Sequence, residues 1–280
     1  MVENYIPKSL DEALEIVSKK DCLLFAGGSD LMIKNKSWTG DLCINKSTVF
    51  IGNVPELKKI SIEENTLYIG ACATCDEIME SDIVPEYIKD VMATMASPAI
   101  RNTATIGGNI CNSSPVADSL PLLYACESSL VLEKKDSRRL VDIDDFITSP
   151  GRNIIKSDEI LTKIILPLNN FNNILFKKVG TRNSIALAKL SFMGMADIDE
   201  NNNEIKDIRL SFGAVAPTIV KDKDIEQEIV SYKKLNEEKI SIIINKYSSL
   251  IVPITDQRSD KEYRKQVALR LLESFLKKLS

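Results

Sequence analysis

Two double glycines carry the residues most able to do chemistry in this chain. Gly27-Gly28 follows the short apolar run LLFA and leads into Ser29-Asp30. Gly107-Gly108 leads into Asn109, with Asn112, Ser113, Ser114 and Asp118 soon after. Glycine lets the backbone approach a ligand closely and adopt positive φ, and successive exposed N–H groups form an anion nest. Two such nests brought together suit a pyrophosphate. The hydroxyl and amide side chains beside them suit ribose or ribityl oxygens, and Asp118 is placed to accept from a sugar hydroxyl. A single double glycine is usually only a turn. Neither stretch is G-x-G-x-x-G or G-x-x-x-x-G-K-[ST], so neither a Rossmann fingerprint nor a P-loop is supported. The residues alone point to a dinucleotide-like ligand held between two lobes.

The chain contains no histidine. That excludes Ser-His-Asp and Cys-His sites, H-E-x-x-H metalloproteases and histidine-ligated zinc or iron. Acid–base work near neutral pH would fall to a shifted carboxylate, lysine, tyrosine or thiol, which favours delegating the chemistry to a cofactor. The six cysteines, Cys22, Cys43, Cys72, Cys75, Cys111 and Cys126, are dispersed, as expected of reduced thiols. Cys72 and Cys75 form one C-x-x-C, but a zinc ribbon needs two such pairs or added histidines. Cys111 is expected to pack rather than react. A net charge of −4 and a pI of about 5.2 argue against nucleic acid as the main partner. No apolar run is long enough to span a bilayer. The acidic, amphipathic start MVENYIPKSLDEALEIV does not read as a signal sequence, so a cytoplasmic protein is expected.

These residues need elements to position them. At 280 residues, 44% apolar and 27% charged, the chain reads as globular with two or three lobes. SLDEALEIVSKK predicts an amphipathic helix with Leu10, Ala13, Leu14 and Val17 on one face, and Ser9 and Glu12 have capping-box spacing. DCLLFA predicts a buried strand entering the first glycine turn, and DLCINKST the following strand. Leu67 to Ala71 predict another strand, and Thr74 and Glu77 a second capping box. EYIKDVMATMAS predicts a helix with Ile88, Val91, Met92 and Met95 on one face, ended by Ser97-Pro98. SSLVLE predicts a further strand. SFMGMADIDENNNEIKDIRLSFGAV predicts a hairpin around an Asn-rich turn, charged outward as in a one-faced antiparallel sheet. SDKEYRKQVALRLLESFLKKL predicts a closing helix with Ser259 and Glu262 as its capping box and a lysine-rich end that suits the macrodipole.

LLFAGGSDLM, together with SPAIRNTATIGGNICNSSPVADSLPLL, resembles the FAD-binding subunit of the molybdenum hydroxylases, the xanthine dehydrogenase and carbon monoxide dehydrogenase family. The family pattern is an A-G-G-[TS]-[DS]-L loop, then a T-I-G-G-N loop leading to S-P-x-x-D. The resemblance continues in family order through PGRNIIKSDEILTKIILP, KVGTRNSIALAKLS, LSFGAVAPT and RSDKEYRKQVALRLLES, nearly the whole chain. IRNTATIGGNICN and FITSPG look most like bacterial xanthine dehydrogenase FAD subunits.

The resemblance implies an α+β protein. A two-lobed FAD-binding domain of the vanillyl-alcohol-oxidase/cresol-hydroxylase (PCMH) type would cover residues 1–168, with lobes of about 1–52 and 53–168. A CO-dehydrogenase-flavoprotein C-terminal domain would cover 169–280. It implies FAD, with Leu24, Phe25, Ala26, Gly27, Gly28, Ser29, Asp30 and Leu31 in the first pyrophosphate loop and Thr105, Ile106, Gly107, Gly108 and Asn109 in the second. Asn112, Ser114 and Asp118 fall where the family contacts ribityl or ribose oxygens, although Asp118 also suits the N-cap of a helix starting at Ser119. Met95 falls where some relatives place an aromatic near the flavin. Ile160 or Leu161 would pack near the ring system, and Lys178 or its neighbour Lys177 would meet the pyrimidine edge. Arg101 faces a partner subunit, the flavin or solvent; Tyr124, Trp38 and the C-terminal lysines are structural or solvated.

By the same resemblance this chain would be an electron-transfer subunit with no catalytic residue or metal site of its own. A molybdopterin-binding large subunit would oxidise the substrate. A small subunit would carry two [2Fe–2S] clusters, since the cysteines here do not match a C-x₄-C-x₂-C run. FAD would pass the electrons on, typically to NAD⁺. Xanthine or another purine is the first expectation for the substrate, with nicotinate, aldehyde and carbon monoxide not distinguished. Two other readings stay open: a stand-alone flavin oxidoreductase of the same superfold, and a FAD-free assembly scaffold, against which the intact glycine loops speak.

Overall fold

Short strands and tight turns at the start of the chain are held by one amphipathic helix. The computed structural model describes residues 2–182 and 185–280; Asn183 and Ser184 of the KVGTRNSIALAKLS segment lie outside the described residues. Strands β1 (Asn4–Tyr5), β2 (Leu23–Phe25) and β3 (Thr48–Phe50) form a parallel sheet in the order β1-β3-β2. Helix α1 (Leu10–Lys19) joins β1 to β2 and buries Ala13, Leu14 and Val17, the stripe its spacing predicts. Ser9 caps it by accepting the Glu12 N–H at 3.2 Å. The Glu12 carboxylate accepts from Lys8 rather than from Ser9, so the capping box is half formed. After α2 (Leu31–Lys34) comes DLCINKST, which is not the expected strand. β3 starts only at Thr48, and Leu42 makes an isolated bridge to Lys36. The residues from Asp41 to Asn45 have no alternating buried face to hold a strand. Trp38 lies fully exposed in this region.

Strand β4 (Ile60–Glu63) pairs with β5 (Thr66–Gly70), at one side of a five-stranded antiparallel sheet completed below. α3 (Cys75–Glu80) opens with the full Thr74–Glu77 capping box. α4 (Glu86–Ala93) buries Ile88, Val91 and Met92; Met95 lies beyond its end, packed 3.9 Å from the Cys75 sulfur. Ser97-Pro98 starts a helix, α5 (Pro98–Arg101), instead of merely ending one. Ser97 accepts the Ile100 N–H and Pro98 takes the first position, where a missing N–H costs nothing. Arg101 turns back: its Nη1 donates to the Met95 carbonyl at 3.0 Å, and its Nε lies 3.5 Å from Asp76. It braces the end of α4 against α3.

The chain continues through α6 (Ile106–Asn112) and α7 (Ser119–Ala125), then β6 (Ser129–Lys134) and β7 (Ser137–Asp142). α8 (Ile143–Phe146) and the β8 (Ile147–Ser149)–β9 (Arg152–Asn153) hairpin lead into β10 (Ile160–Pro167), which completes the sheet order β4-β5-β10-β6-β7. One core joins α1, Val49 and Ile51 to Leu57, Cys72 and Ile160, so the two expected N-terminal lobes share their packing. The chain divides into two compact units, residues up to Ser113 with Ser128–Pro167, and Ser114–Glu127 with Leu168–Ser280. The expected 1–168 domain included Ser114–Glu127, which packs within the second unit.

The second unit contains the predicted hairpin. β11 (Asn173–Val179), β12 (Leu190–Ile198) and β13 (Ile205–Gly213) form an antiparallel sheet. It is not one-faced as expected, because Leu190 through Ala196 are all buried. One face carries Phe192 and Phe212, which pack against Phe275 and Tyr247 of α11 (Lys261–Lys278) and α10 (Glu237–Leu250), with α9 (Lys223–Ser231) alongside. The other face meets α7: the Ser211 hydroxyl donates to the Pro121 carbonyl at 2.6 Å. α11 is capped by Asp260, whose carboxylate accepts from both Glu262 and Tyr263, and not by the expected Ser259, which lies one residue earlier.

Glu226 of α9 is 1% exposed, and its Oε1 accepts the Leu210 N–H at 2.6 Å. Burial pushes its carboxyl from the usual 4.5 up to about 7, against the pull of Lys221 and Arg209. The protonated form is the one the fold prefers. Its stabilisation is complete below the ordinary carboxylate range and is lost as pH rises through about 7. No histidine obscures this window. Glu226→Gln keeps the acceptor, and it is expected to flatten a fall in stability that approaches about 1.4 kcal/mol per pH unit between about 4.5 and 7 and levels off above, read by urea melts across that range.

Candidate functional site

The first glycine stretch leaves β2 through a turn that only glycine fits. Gly28 has φ +69°, and Gly27 lies so close to the turn before α6 that a β-carbon would stand 1.7 Å from the Thr103 carbonyl oxygen. Gly27 therefore serves a backbone-to-backbone contact. Beyond it, the N–H groups of Gly27, Gly28, Ser29 and Asp30 have no acceptor among the described residues. All four residues line a cleft of about 700 Å³ within the first unit. A run of unused N–H groups around a left-handed glycine is an anion nest.

The second stretch is not the expected loop. Gly107 and Gly108 lie inside the first turn of α6, which Thr105 caps by accepting the Gly108 N–H at 3.2 Å. The Ile106 and Gly107 N–H groups donate to the Ala73 and Ala71 carbonyls at 3.0 and 2.8 Å, and the Asn109 N–H to Thr105 at 3.0 Å. These donors are used, so there is one nest and not two. Gly107 is needed for packing, because a β-carbon there would stand 2.6 Å from the Ala71 carbonyl. Gly108 differs. Both glycines line the cleft, but a β-carbon on Gly108 would stand 2.7 Å from a single side-chain atom, the Thr105 hydroxyl, and not against backbone.

Leu24, Ala26, Gly27, Gly28, Ser29, Asp30, Leu31, Thr105, Gly107, Gly108, Asn109, Asn112, Ile160 and Leu161 all line this cleft. Phe25 stands behind Gly28 with its ring 5.0 Å from Phe50, Ile106 is buried, and Met95 sits against Cys75, none of them on the cleft lining. Ser114, Asp118 and Lys178 belong to the second unit.

Lys34, Asn153, Lys156 and Glu159 also line the cleft and were not read from the sequence. Asn153 fixes the far end of α6, donating to the Cys111 carbonyl at 2.9 Å and the Ser113 hydroxyl at 3.0 Å while accepting the Ile155 N–H. Glu159, 4% exposed, takes a bidentate pair from Arg139 at 2.7 and 2.8 Å, which holds its carboxyl below the usual range. A signal was available: a carboxylate opening the apolar run EILTKIIL needs a partner if buried, and SRRLVD supplies arginines. Burial pushes the Cys72 and Cys111 thiols up to about 12 and Cys75 to about 11, so they stay protonated and unreactive. No metal-ligand cluster occurs among the described residues.

In the second unit, Asp118 stands at the N-cap position of α7 but makes no capping bond. Its Oδ2 accepts from Lys178 Nζ at 2.6 Å, and both side chains are 11% exposed. Burial pushes the Asp118 carboxyl up while Lys178 pulls it down. Of the two lysines left open by the sequence, Lys178 is the enclosed one and Lys177 is exposed.

The comparisons with known proteins agree with this geometry. The family model for the FAD binding domain in molybdopterin dehydrogenase matches residues 1–169, and the CO dehydrogenase flavoprotein C-terminal domain matches residues 176–279. A glyceraldehyde dehydrogenase medium chain from Sulfolobus acidocaldarius is 30% identical over 267 residues, 93% of this chain and 92% of that protein. A xanthine dehydrogenase FAD-binding subunit from Escherichia coli O157:H7 is 28% identical over 262 residues, 91% and 86% of the two. A solved chain of carbon monoxide dehydrogenase from Hydrogenophaga pseudoflava has the same fold, with a TM-score of 0.87 at 24% identity, covering 98% of this chain and 95% of that one. This chain belongs to the FAD-binding family of the molybdopterin dehydrogenases, oxidoreductases of the molybdenum hydroxylase type, and FAD is its cofactor. The α+β fold is that of a FAD-binding domain followed by a flavoprotein C-terminal domain.

The two kinds of glycine should separate on substitution. Gly27→Ala is expected to cost about 3 kcal/mol or more, because Thr103 backbone must move. Gly108→Ala should change stability by less than about 1 kcal/mol yet lose FAD; melts and flavin content of the two variants check this. Asp118→Leu leaves a buried ammonium and is expected to cost about 3 kcal/mol. Adding Lys178→Met should recover most of that loss, as a double-mutant cycle in denaturant would show.

Proposed function

We propose that the chain is the FAD-carrying electron-transfer subunit of a multi-subunit molybdenum hydroxylase. The observation that carries the reading is the run of four unused N–H groups from Gly27 to Asp30 on the wall of a cleft that Gly108 also lines. That arrangement suits a diphosphate. Asn109 and Asn112 suit the sugar oxygens, and Ile160 and Leu161 give an apolar wall. The roles of Ser114, Asp118, Met95 and Lys178 as cofactor contacts rest on the family motif.

When bound, FAD supplies hydride and one-electron transfer. The chain's own residues bind and orient. It has no histidine, and its cleft thiols are held protonated, so no side chain lining the cleft is suited to relay protons near pH 7. Partners fit the same reading: a molybdopterin-binding large subunit to oxidise the substrate and a [2Fe–2S] small subunit to deliver electrons. The names of the relatives, a medium chain and a FAD-binding subunit, support it. Xanthine or a related purine is the favoured substrate of the assembly, from the bacterial xanthine dehydrogenase-like segments, with NAD⁺ as acceptor. A cytoplasmic setting is consistent with six cysteines outside any disulfide. No helix among the described residues is long and apolar enough to cross a membrane.

The test is an anaerobic visible spectrum of the purified chain with added FAD, before and after NADH. A bound flavin band that bleaches with NADH is the expected result. A bound flavin that does not bleach keeps the FAD assignment and removes NAD⁺ as acceptor for the chain alone. A folded chain that retains no flavin overturns the reading.

A further inference from the structure

The glycine cleft has a charge problem of its own. Its nest ends at Asp30, which lines the same wall and brings a carboxylate with it. A diphosphate seated on those N–H groups would meet a like charge on the loop that holds it, and like charges at contact distance repel. Lys34 answers that charge. Its Nζ lies 2.8 Å from Asp30 Oδ2, and the same ammonium donates to Asn112 Oδ1 at the end of α6. One side chain therefore neutralises the first glycine segment and ties it to the second, and all three residues line the cleft.

The pair is not there for folding. Lys34 and Asp30 are 59% and 51% exposed, and ion pairs of that kind contribute little to stability. The other carboxylate on the cleft wall, Glu159, is already closed by the bidentate Arg139. Asp30 is thus the acidic group whose charge is left for Lys34 to mask, beside the nest itself.

We propose that Lys34 is the charge-balancing residue of the diphosphate site, masking Asp30 and tying α2 to α6. Cofactor affinity then depends on the Asp30–Lys34 pair as well as on the glycines. The proposal rests on the FAD reading above. Its test is calorimetric titration of the full chain with FAD and with ADP at low and high salt, for the wild type, Lys34→Met, Asp30→Asn and the double variant. Lys34→Met is expected to weaken binding about tenfold at low salt and less at high salt, because exposed charges are screened. Asp30→Asn should bind at least as tightly as the wild type, and the double variant should return to within about threefold of it. All four thermal midpoints should agree. Unchanged affinity in Lys34→Met overturns the proposal, and so does a double variant as weak as Lys34→Met, which would make Lys34 a structural tie only. A wild-type chain that binds neither ligand overturns the FAD reading and this proposal with it.

Discussion

The first unit depends on one contact between two pieces of backbone. Gly27 packs against the Thr103 carbonyl so closely that no side chain fits between them. That approach brings the turn after β2 against the turn before α6, and the cleft exists because those two turns meet. Gly107 repeats the device one layer on, against Ala71. Each contact replaces side-chain packing with direct apposition, so the walls of the cleft are set by peptide geometry, which has few ways to relax. Walls of this kind hold the cleft to one shape.

The two glycine stretches divide their labour in a way their similar composition hides. The first presents unused donors; the second has spent its donors on Ala71, Ala73 and Thr105 and contributes shape. Reading both as nests was reasonable, because two glycines at a helix start cost about 1 kcal/mol each relative to alanine. What outweighs that cost is tertiary: two alanine carbonyls that the sequence places over thirty residues away. The Asp118 side chain follows the same logic. Local spacing makes it a helix cap, and a lysine 60 residues further on takes it instead. Elements with local causes were legible: the apolar stripe of α1, the Thr74–Glu77 box and the β12–β13 hairpin. DLCINKST was misread because β-prone residues without an alternating buried face do not make a strand. The Glu159–Arg139 pair sets a carboxylate just before β10 against an arginine of β7; the sequence offered both groups, and the fold selects which arginine meets it.

The chemistry of the chain is marked by restraint. A protein without histidine, whose cleft thiols are held protonated by burial, offers few routes for protons to move near neutral pH. That inertness suits a chain whose cofactor does the redox work, because stray acid–base groups beside a flavin would open side reactions. The relatives carry names as different as glyceraldehyde dehydrogenase and xanthine dehydrogenase, and this chain aligns with each over more than nine tenths of its length.

The placement of α7 has a consequence for how the chain can be inherited. Ser114–Glu127 leaves the first unit, packs all of its helix into the second, and the chain then returns to finish the first sheet. The backbone therefore passes between the units three times, at residues 113–114, 127–128 and 167–168. No single cut releases either one whole. A fragment ending at Pro167 would carry an apolar helix with nothing to cover, and the remainder would expose the bare face of β12 and β13. During synthesis the second core must wait for the last strands before α7 finds its place. Gene fusion at the ends of the chain leaves this arrangement intact, whereas exchange of either domain as a cassette breaks both, so the two halves are expected to travel through evolution together.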